Sequence, residues 1–369
     1  MLFLQSMPPQ TWLQKLAHNP WELALISGVL AGLMFGAYRL TIGRRMGQAF
    51  REDGPEHHKL KGFVPTGTGI VFVLLLLLAG VFIFIVSQAN LPIERVGIYV
   101  CWAAAAMGLL GWIDDRNKVK RGSEGLRARY KLPIQILIGG VFLYFLFDYF
   151  HQLVATAPPT LQLPWPAYAP WWVFFPVGLF VWLGALNGAN FTDGLDGLLS
   201  STTLIVLAGA FIALLDGREP LAVPAAVGTG ALVAFLIYNW KPALIYMGDT
   251  GSLTVGALVA GLFMAKGWWL FLGLCAFIWV MEVASVIIQV SSYRLLKRRV
   301  FLFTPIRHHI ELAGWGERRT VLVFSILQAL GCVVAFLWLR TGATNGLIGT
   351  GVLLGIFVGL IVKYSKRVR

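Results

Sequence analysis

The segment VFVLLLLLAGVFIFIV (residues 71–86) contains no charged and no hydrogen-bonding side chain. A run of this kind admits few folds. A hydrocarbon core roughly 30 Å thick is crossed by about 20 apolar residues of helix. Lipid offers the backbone no hydrogen-bond partner, so only helices and closed barrels persist there. The run is continuous rather than alternating, which selects the helix over a barrel strand. Comparable runs recur near 21–40, 67–88, 95–113, 133–150, 171–187, 198–215, 221–238, 247–265, 268–291, 320–339 and 344–362. The last two read either as two spans or as one re-entrant hairpin.

The expected fold class is therefore all-α, a polytopic integral membrane protein. Residues 1–369 read as a single transmembrane domain, with no soluble domain, long linker or low-complexity tract. Composition agrees: 13% of residues are charged, against about 25% in a soluble domain. The first apolar stretch is long and no basic segment precedes it, so it reads as a retained span and not as a cleavable signal.

Lysine and arginine placement sets the orientation. Segments 39–66, 114–132, 188–197, 239–246, 292–319 and the tail from Lys363 lie on one side. Only Lys15, Arg95, Arg218, Lys266 and Arg340 lie on the other, so the first side holds 25 of the 30 basic residues and is cytoplasmic. The N-terminus then lies outside and the tail KYSKRVR inside. The net charge of +13 follows from this asymmetry. It needs no nucleic acid, and its default partners are anionic lipid headgroups. Cys101, Cys275 and Cys332 all fall in apolar runs, so buried thiols are expected instead of disulfides.

The cytoplasmic segments carry the polar motifs: GWIDDRNKVKR (111–121), NGANFTDGLDG (187–197), YMGDTGS (246–252) and PIRHHIELAGWGE (305–317). Each sits at the end of a span on one surface. Asp114, Asp115, Asp193, Asp196 and Asp249 can thus meet in one layer. Gathered carboxylates repel and raise one another's pKa, and a divalent cation relieves this. Oxygen donors without nitrogen or sulfur suit Mg²⁺ or Mn²⁺. Lys61, Lys118, Lys120, Lys131 and Arg307 would hold further phosphate charge. Taken singly, each motif also has a plain reading: DD as a solvated turn, TDGLDG and GDTGS as capped turns. His308 and His309 are adjacent and lack the i, i+4 spacing of a zinc helix; hydrogen bonding to a substrate suits them better. No GxxxxGK[ST] or GxSxG motif occurs.

Six stretches in order resemble the polyprenyl-phosphate N-acetylhexosamine-1-phosphate transferases, from about residue 44 to 322. They are DGPEHHKLKGFVPTGTG (53–69), GWIDDRNKV with GLRARYKLPIQ, NGANFTDGLDGL, YNWKPALIYMGDTGSLTVG (238–256), EVASVIIQV (282–290) and PIRHHIELAGWGE. The resemblance implies a ten-helix core, here over about 21–340, with an eleventh span at 344–362 in addition. It implies Mg²⁺ as cofactor, a homodimer, and a site on the cytoplasmic face of the bacterial plasma membrane. The implied reaction moves phospho-N-acetylmuramoyl-pentapeptide from UDP to undecaprenyl phosphate, giving lipid I and UMP for peptidoglycan synthesis. A sister reaction with phospho-N-acetylglucosamine is the near alternative. A transporter is the distant one, but transporters place ionisable groups near the bilayer midplane.

Carried over by position, Asp249 is the metal-binding aspartate, and Asp114 and Asp115 are the catalytic pair. His308 and His309 join that catalytic set. Lys118 and Lys131 flank the pair. Asn187, Asn190, Asp193 and Asp196 form a polar strip for the nucleotide and diphosphate, with Asn239 beside them on the substrate side. Tyr246 stands where an aromatic stacks on uracil, and Gln289 lies near that base. Lys61 and Thr66 are substrate-side residues of the first cytoplasmic loop. The chain departs from the family pattern at Arg307, where a histidine is usual, and at FVPTGTG (63–69). Arg307 can donate to phosphate bidentately but cannot accept a hydrogen bond.

Overall fold

The computed structural model describes residues 12–17, 19–42, 47–48, 64–87, 92–121, 125–158, 160–214, 221–341 and 343–365. These residues form helices joined by short connections. In chain order they are α1 (Trp12–Ala17), α2 (Pro20–Leu40), α3 (Ile70–Ser87), α4 (Pro92–Arg121), α5 (Ala128–Thr156), α6 (Trp171–Thr192) and α7 (Leu198–Ala213). There follow α8 (Ala222–Asn239), α9 (Gly248–Ala265), α10 (Trp269–Cys275), α11 (Phe277–Leu296), α12 (Ile306–Leu312), α13 (Glu317–Thr341) and α14 (Ala343–Ser365). A two-residue antiparallel ribbon, β1 (Gly47–Gln48) with β2 (Val64–Pro65), is the one sheet among the described residues. The all-α class read from the sequence is what the chain adopts. Nine of the described helices are long and apolar enough to cross a membrane, and Ile70–Val86 and Leu198–Ile212 are shorter apolar helices at two further expected spans.

The axis of the molecule is α9, in which every residue from Thr250 to Ala265 is buried. Its sequence explains how it can be surrounded. Gly251, Ser252, Thr254, Gly256, Ala257, Ala260 and Gly261 are small, and small residues let helix backbones approach in lipid, where apolar burial drives little. A Cβ on Gly256 would come 2.9 Å from Ala189 of α6, and one on Gly108 of α4 would lie 2.1 Å from Thr254 Oγ1. The same device joins α2 to α8, where a Cβ on Gly230 would meet the Ala24 carbonyl oxygen at 2.0 Å. Large apolar side chains such as Leu25, Phe84, Leu137, Phe180 and Ile237 point outward and are exposed, as a lipid-facing surface requires.

The expected span 268–291 is not one helix. It breaks at Ala276, where the backbone leaves helical geometry. A break at membrane depth exposes backbone groups that lipid cannot satisfy. Gln328 of α13, fully buried, fills this need: its Oε1 accepts the Ile278 N–H at 2.9 Å and its Nε2 donates to the Cys275 carbonyl. Gln328→Leu should strand the Ile278 N–H and leave the Cys275 carbonyl only the weak Cys332 thiol at 3.7 Å, destabilising the protein by at least about 1–3 kcal/mol, the cost of one buried group left without its partner. Thermal unfolding in detergent measures this, and an unchanged midpoint would show that the break is satisfied otherwise.

The final two spans are separate helices of 25 and 23 residues, each about 35 Å long at 1.5 Å per residue. That favours two spans over a re-entrant hairpin. Leu353 and Phe357 of α14 join a second core cluster with Phe277, Ile278, Ile306, Ile310, Trp315 and Phe324. The additional helix thus packs chiefly on α13 and reaches the cluster that α13 shares with α11 and α12. Cys101, Cys275 and Cys332 are free thiols, the first two buried.

Candidate active site

Three carboxylates meet where the C-terminal end of α4 crosses the N-terminus of α9. One oxygen from each of Asp114, Asp115 and Asp249 lies within 4.8 Å of the others. Gly111 makes this crossing possible, since a Cβ there would sit 2.2 Å from the Asp249 carbonyl oxygen. Gly248, at φ +67°, turns the chain into α9, and a Cβ on it would strike Asp115 Oδ2 at 2.5 Å.

The three acids are held differently. Asp115 caps α9 from outside: its Oδ1 accepts the Asp249 N–H at 3.0 Å, and its Oδ2 accepts the Thr250 N–H at 2.9 Å and the Thr250 hydroxyl at 2.6 Å. An anion at a helix N-terminus is stabilised by the unpaired amides and the helix dipole. Asp114 Oδ1 accepts the Leu126 N–H, and its Oδ2 lies 2.7 Å from Lys118 Nζ. Asp249 is gripped by two ammonium groups, Lys118 Nζ at 2.7 Å on Oδ1 and Lys131 Nζ on Oδ2. Lys131 stands in the first turn of α5. Three carboxylates against two ammonium groups leave one negative charge unbalanced.

A further carboxyl, Asp193, feels the charge of this cluster. It is the residue at which α6 ends. Burial, then the charges of Asp249 and Asp115, push its pKa up to about 7 against the opposing pull of Arg307 and Lys118. This has a consequence for stability. A carboxyl whose folded pKa is raised makes the fold less stable as pH climbs from its ordinary range to the raised value. Asp193→Asn should therefore remove a loss of stability between about pH 4 and pH 7, read from unfolding midpoints across that range. A slope unchanged by the substitution would show that Asp193 is not the titrating group.

The rest of the expected strip divides. On α6, Asn187 Nδ2 donates to the Leu183 carbonyl at 2.8 Å and to Gln135 at 3.4 Å, and Asn190 Nδ2 donates to Ser252 Oγ at 2.9 Å. Asp196, three residues past Asp193, belongs to a neighbouring network. Its carboxylate accepts the Ala243 N–H and the Tyr246 hydroxyl, each at 3.2 Å, and its own N–H donates to Glu317 Oε1 at 2.8 Å. Asn239 ties that network together, accepting from Gly197 N–H and Ser200 and donating to the Ile245 carbonyl. Tyr246 is pinned through its backbone to Pro65 and Thr68, and burial followed by the Asp196 charge raises its phenol pKa. Thr66 is buried, and its carbonyl accepts the Tyr38 hydroxyl.

Farther along, Gln289 Oε1 accepts the Val300 and Phe301 N–H groups at 3.1 and 2.9 Å, which folds the chain back after α11. His309 Nδ1 accepts the Leu302 N–H at 3.2 Å, and burial lowers its pKa. His308 Nδ1 lies 3.0 Å from Glu311. Neither histidine belongs to the carboxylate cluster. Arg307 is buried, donates through Nη1 to the Phe191 carbonyl and stands 3.2 Å from Glu282. Lys61 lies outside the described residues.

Several residues that organise the site escaped the sequence reading. Gly111, Thr250 and Glu317 carry no signal of their own beyond the quoted motifs that contain them. Glu282 did carry one, being a lone carboxylate within an apolar run, where an ionised group is costly.

Comparison with known proteins agrees with this geometry. Residues 97–267, which span from α4 through α9, match Glycosyl transferase family 4. The phospho-N-acetylmuramoyl-pentapeptide-transferase of Clostridium acetobutylicum is 37% identical over 295 residues, 79% of this chain and 90% of the relative. The protein of that name from Desulforamulus reducens is 37% identical over 86% of this chain and 97% of its own. The one from Deinococcus radiodurans is 38% identical over 86% of this chain and 98% of its own. With identity at this level along most of both chains, the chain belongs to the phospho-N-acetylmuramoyl-pentapeptide-transferase family.

Proposed function

We propose that the chain transfers phospho-N-acetylmuramoyl-pentapeptide from UDP to undecaprenyl phosphate at the cytoplasmic surface of the bacterial plasma membrane. The observation that carries this reading is the cluster of Asp114, Asp115 and Asp249 with Lys118 and Lys131, at the end of apolar helices. A lipid phosphate arrives through the bilayer and a nucleotide sugar through water, and this layer is where both can reach. The excess of basic residues on that side supports its facing inward, with the N-terminus outside. The chain is read as a homodimer, which its mass in detergent tests.

The donor set fits a hard divalent cation. All three candidate ligands are carboxylates, and the cluster is short of positive charge even with both lysines in place. Asp249 would hold the ion, with Asp114 and Asp115 beside it. Bound there, Mg²⁺ supplies Lewis-acid stabilisation of the diphosphate, and Mn²⁺ suits the same oxygens.

The chain's own residues do the rest. An oxygen of the lipid phosphate attacks the sugar-bearing phosphorus, a new P–O bond forms, and the bridging P–O bond breaks so that UMP leaves with the electron pair. The attacking phosphate needs little help, because the second pKa of a phosphate monoester is about 6. Asp115 is committed to the α9 amides, so it works as an electrostatic organiser and not as a base. Lys118 and Lys131 are placed to pass from Asp249 to the phosphate oxygens and offset the charge that develops on UMP. Asn187, Asn190 and Asp193 offer amide and carboxylate groups to the sugar nucleotide.

Purified protein with undecaprenyl phosphate and Mg²⁺ should release UMP from UDP-N-acetylmuramoyl-pentapeptide, and chelation should stop it until Mg²⁺ or Mn²⁺ is restored. Turnover of UDP-N-acetylglucosamine alone would move the chain to the sister reaction. Solute flux without UMP release would sink the enzymatic reading.

A further inference from the structure

Glu282 is fully buried within α11, and an ionisable side chain at such a place is costly unless it is paired. Its partner is Arg307 of α12, with Nη1 3.2 Å from Glu282 Oε2. The same Nη1 donates to the Phe191 carbonyl. Phe191 lies in the last turn of α6, where carbonyls have no partner inside the helix. Asp193 N–H donates to the Ala189 and Asn190 carbonyls, and Gly194 N–H to that of Thr192. Arg307 thus takes up a carbonyl that the turn itself leaves open. The guanidinium also lies flat against Gly194: a Cβ there would fall 2.3 Å from Nε and 2.4 Å from Nη2. Asp193 lies within the segment 191–194, whose two ends, the Phe191 carbonyl and Gly194, both rest on one guanidinium. Arg307 in turn is anchored, because Ile306 and Ile310 of α12 belong to the core cluster shared with α11, α13 and α14.

We propose that Glu282 and Arg307 form a buried clamp that positions Asp193, with Gly194 as the seat for the guanidinium. This assigns Glu282 a positioning role and makes Arg307 a residue that acts through Asp193 as well as by its charge. In its consequence for catalysis the proposal rests on the transferase reading above. Its structural content does not.

Gly194 gives the clean test. Its backbone lies outside the left-handed region, so alanine suits the conformation there, and the nearest atoms the methyl would meet all belong to the guanidinium. Gly194→Ala, Glu282→Gln, Arg307→Gln and the double variant Gly194→Ala/Arg307→Gln would be compared with wild type. For each single variant we expect the KM for the nucleotide donor to rise about tenfold or more, because displacement of a binding group by a fraction of its length is costly. The KM for the lipid phosphate should stay within about twofold, since that substrate does not depend on the strip. The double variant should be no worse than Arg307→Gln alone, because the added methyl then meets no guanidinium. A simple loss of folded protein would lower turnover and leave both KM values where they were. Hydrogen exchange of the peptide containing 191–197 supplies a readout independent of activity, and it should quicken in Gly194→Ala and in Arg307→Gln. If wild type showed no turnover, the transferase reading would fail while this measurement still judged the clamp. Unchanged exchange, an unchanged donor KM in Gly194→Ala, or multiplying effects in the double variant would each overturn the proposal.

Discussion

Asp249→Asn is expected to lower turnover by at least about 10²-fold, the order of loss when a central electrostatic stabiliser is removed. The substitution keeps the shape of the side chain and removes its charge. In the structure that charge holds Lys118 and Lys131 together at the mouth of the cluster. Asparagine would leave Asp114 and Asp115 facing two ammonium groups, and the charge deficit that favours a divalent cation would disappear. The apparent Mg²⁺ requirement should rise with the fall in rate, while elution from a sizing column stays normal. A folded Asp249→Asn protein with near wild-type UMP release would remove Asp249 from the metal site.

Gly111→Ala should be nearly as damaging although it changes no charge. The new methyl would lie 2.2 Å from the Asp249 carbonyl oxygen and 2.6 Å from the Thr250 nitrogen. Both atoms belong to the rigid first turn of α9, so α4 has to back away. Asp114 and Asp115 ride on the next turn of α4 and move with it, which lengthens the three hydrogen bonds from Asp249 and Thr250 to Asp115. A displacement near 1 Å can cost about 10²-fold in rate, and we expect a loss of that order. Gly140→Ala is the control, because a Cβ on that glycine of α5 meets nothing within 4 Å. It should leave activity intact, helped slightly by the better helix propensity of alanine. Equal activity in the two variants would mean that the α4–α9 crossing does not set the cluster.

Much of this protein was legible from the chain alone. The apolar runs gave the spans because a bilayer imposes one length and one backbone solution on every crossing segment. The charge asymmetry pointed to an orientation, and the motifs at one surface named five carboxylates for one layer, of which the fold brings Asp114, Asp115 and Asp249 together with Lys118 and Lys131. These features are local or are set by a fixed external frame, so sequence order carries them. The split between Asp193 and Asp196 was not legible. Their spacing places them on one strip, yet the chain leaves the helix after Thr192 and turns through left-handed Gly197. Asp193 is left beside Arg307, and Asp196 beside Tyr246.

The break at Ala276 shows the same limit. Residues 268–291 read as one apolar span, and nothing local marks an interruption. The break exists because Gln328, some fifty positions on, supplies the hydrogen bonds that the interrupted helix lacks. Glu282 and Arg307 are likewise 25 residues apart, and what each does depends on the other. The sequence by itself determined that this chain crosses a membrane many times and carries its acidic chemistry on one face, because hydrophobic length and charge act residue by residue. The tertiary structure alone decided which carboxylates lie together, which are spent on helix caps and hydrogen-bond networks, and which arginine rests against the strip. Those are pairwise contacts at close range, and their energies depend on distances that only the packed helices fix.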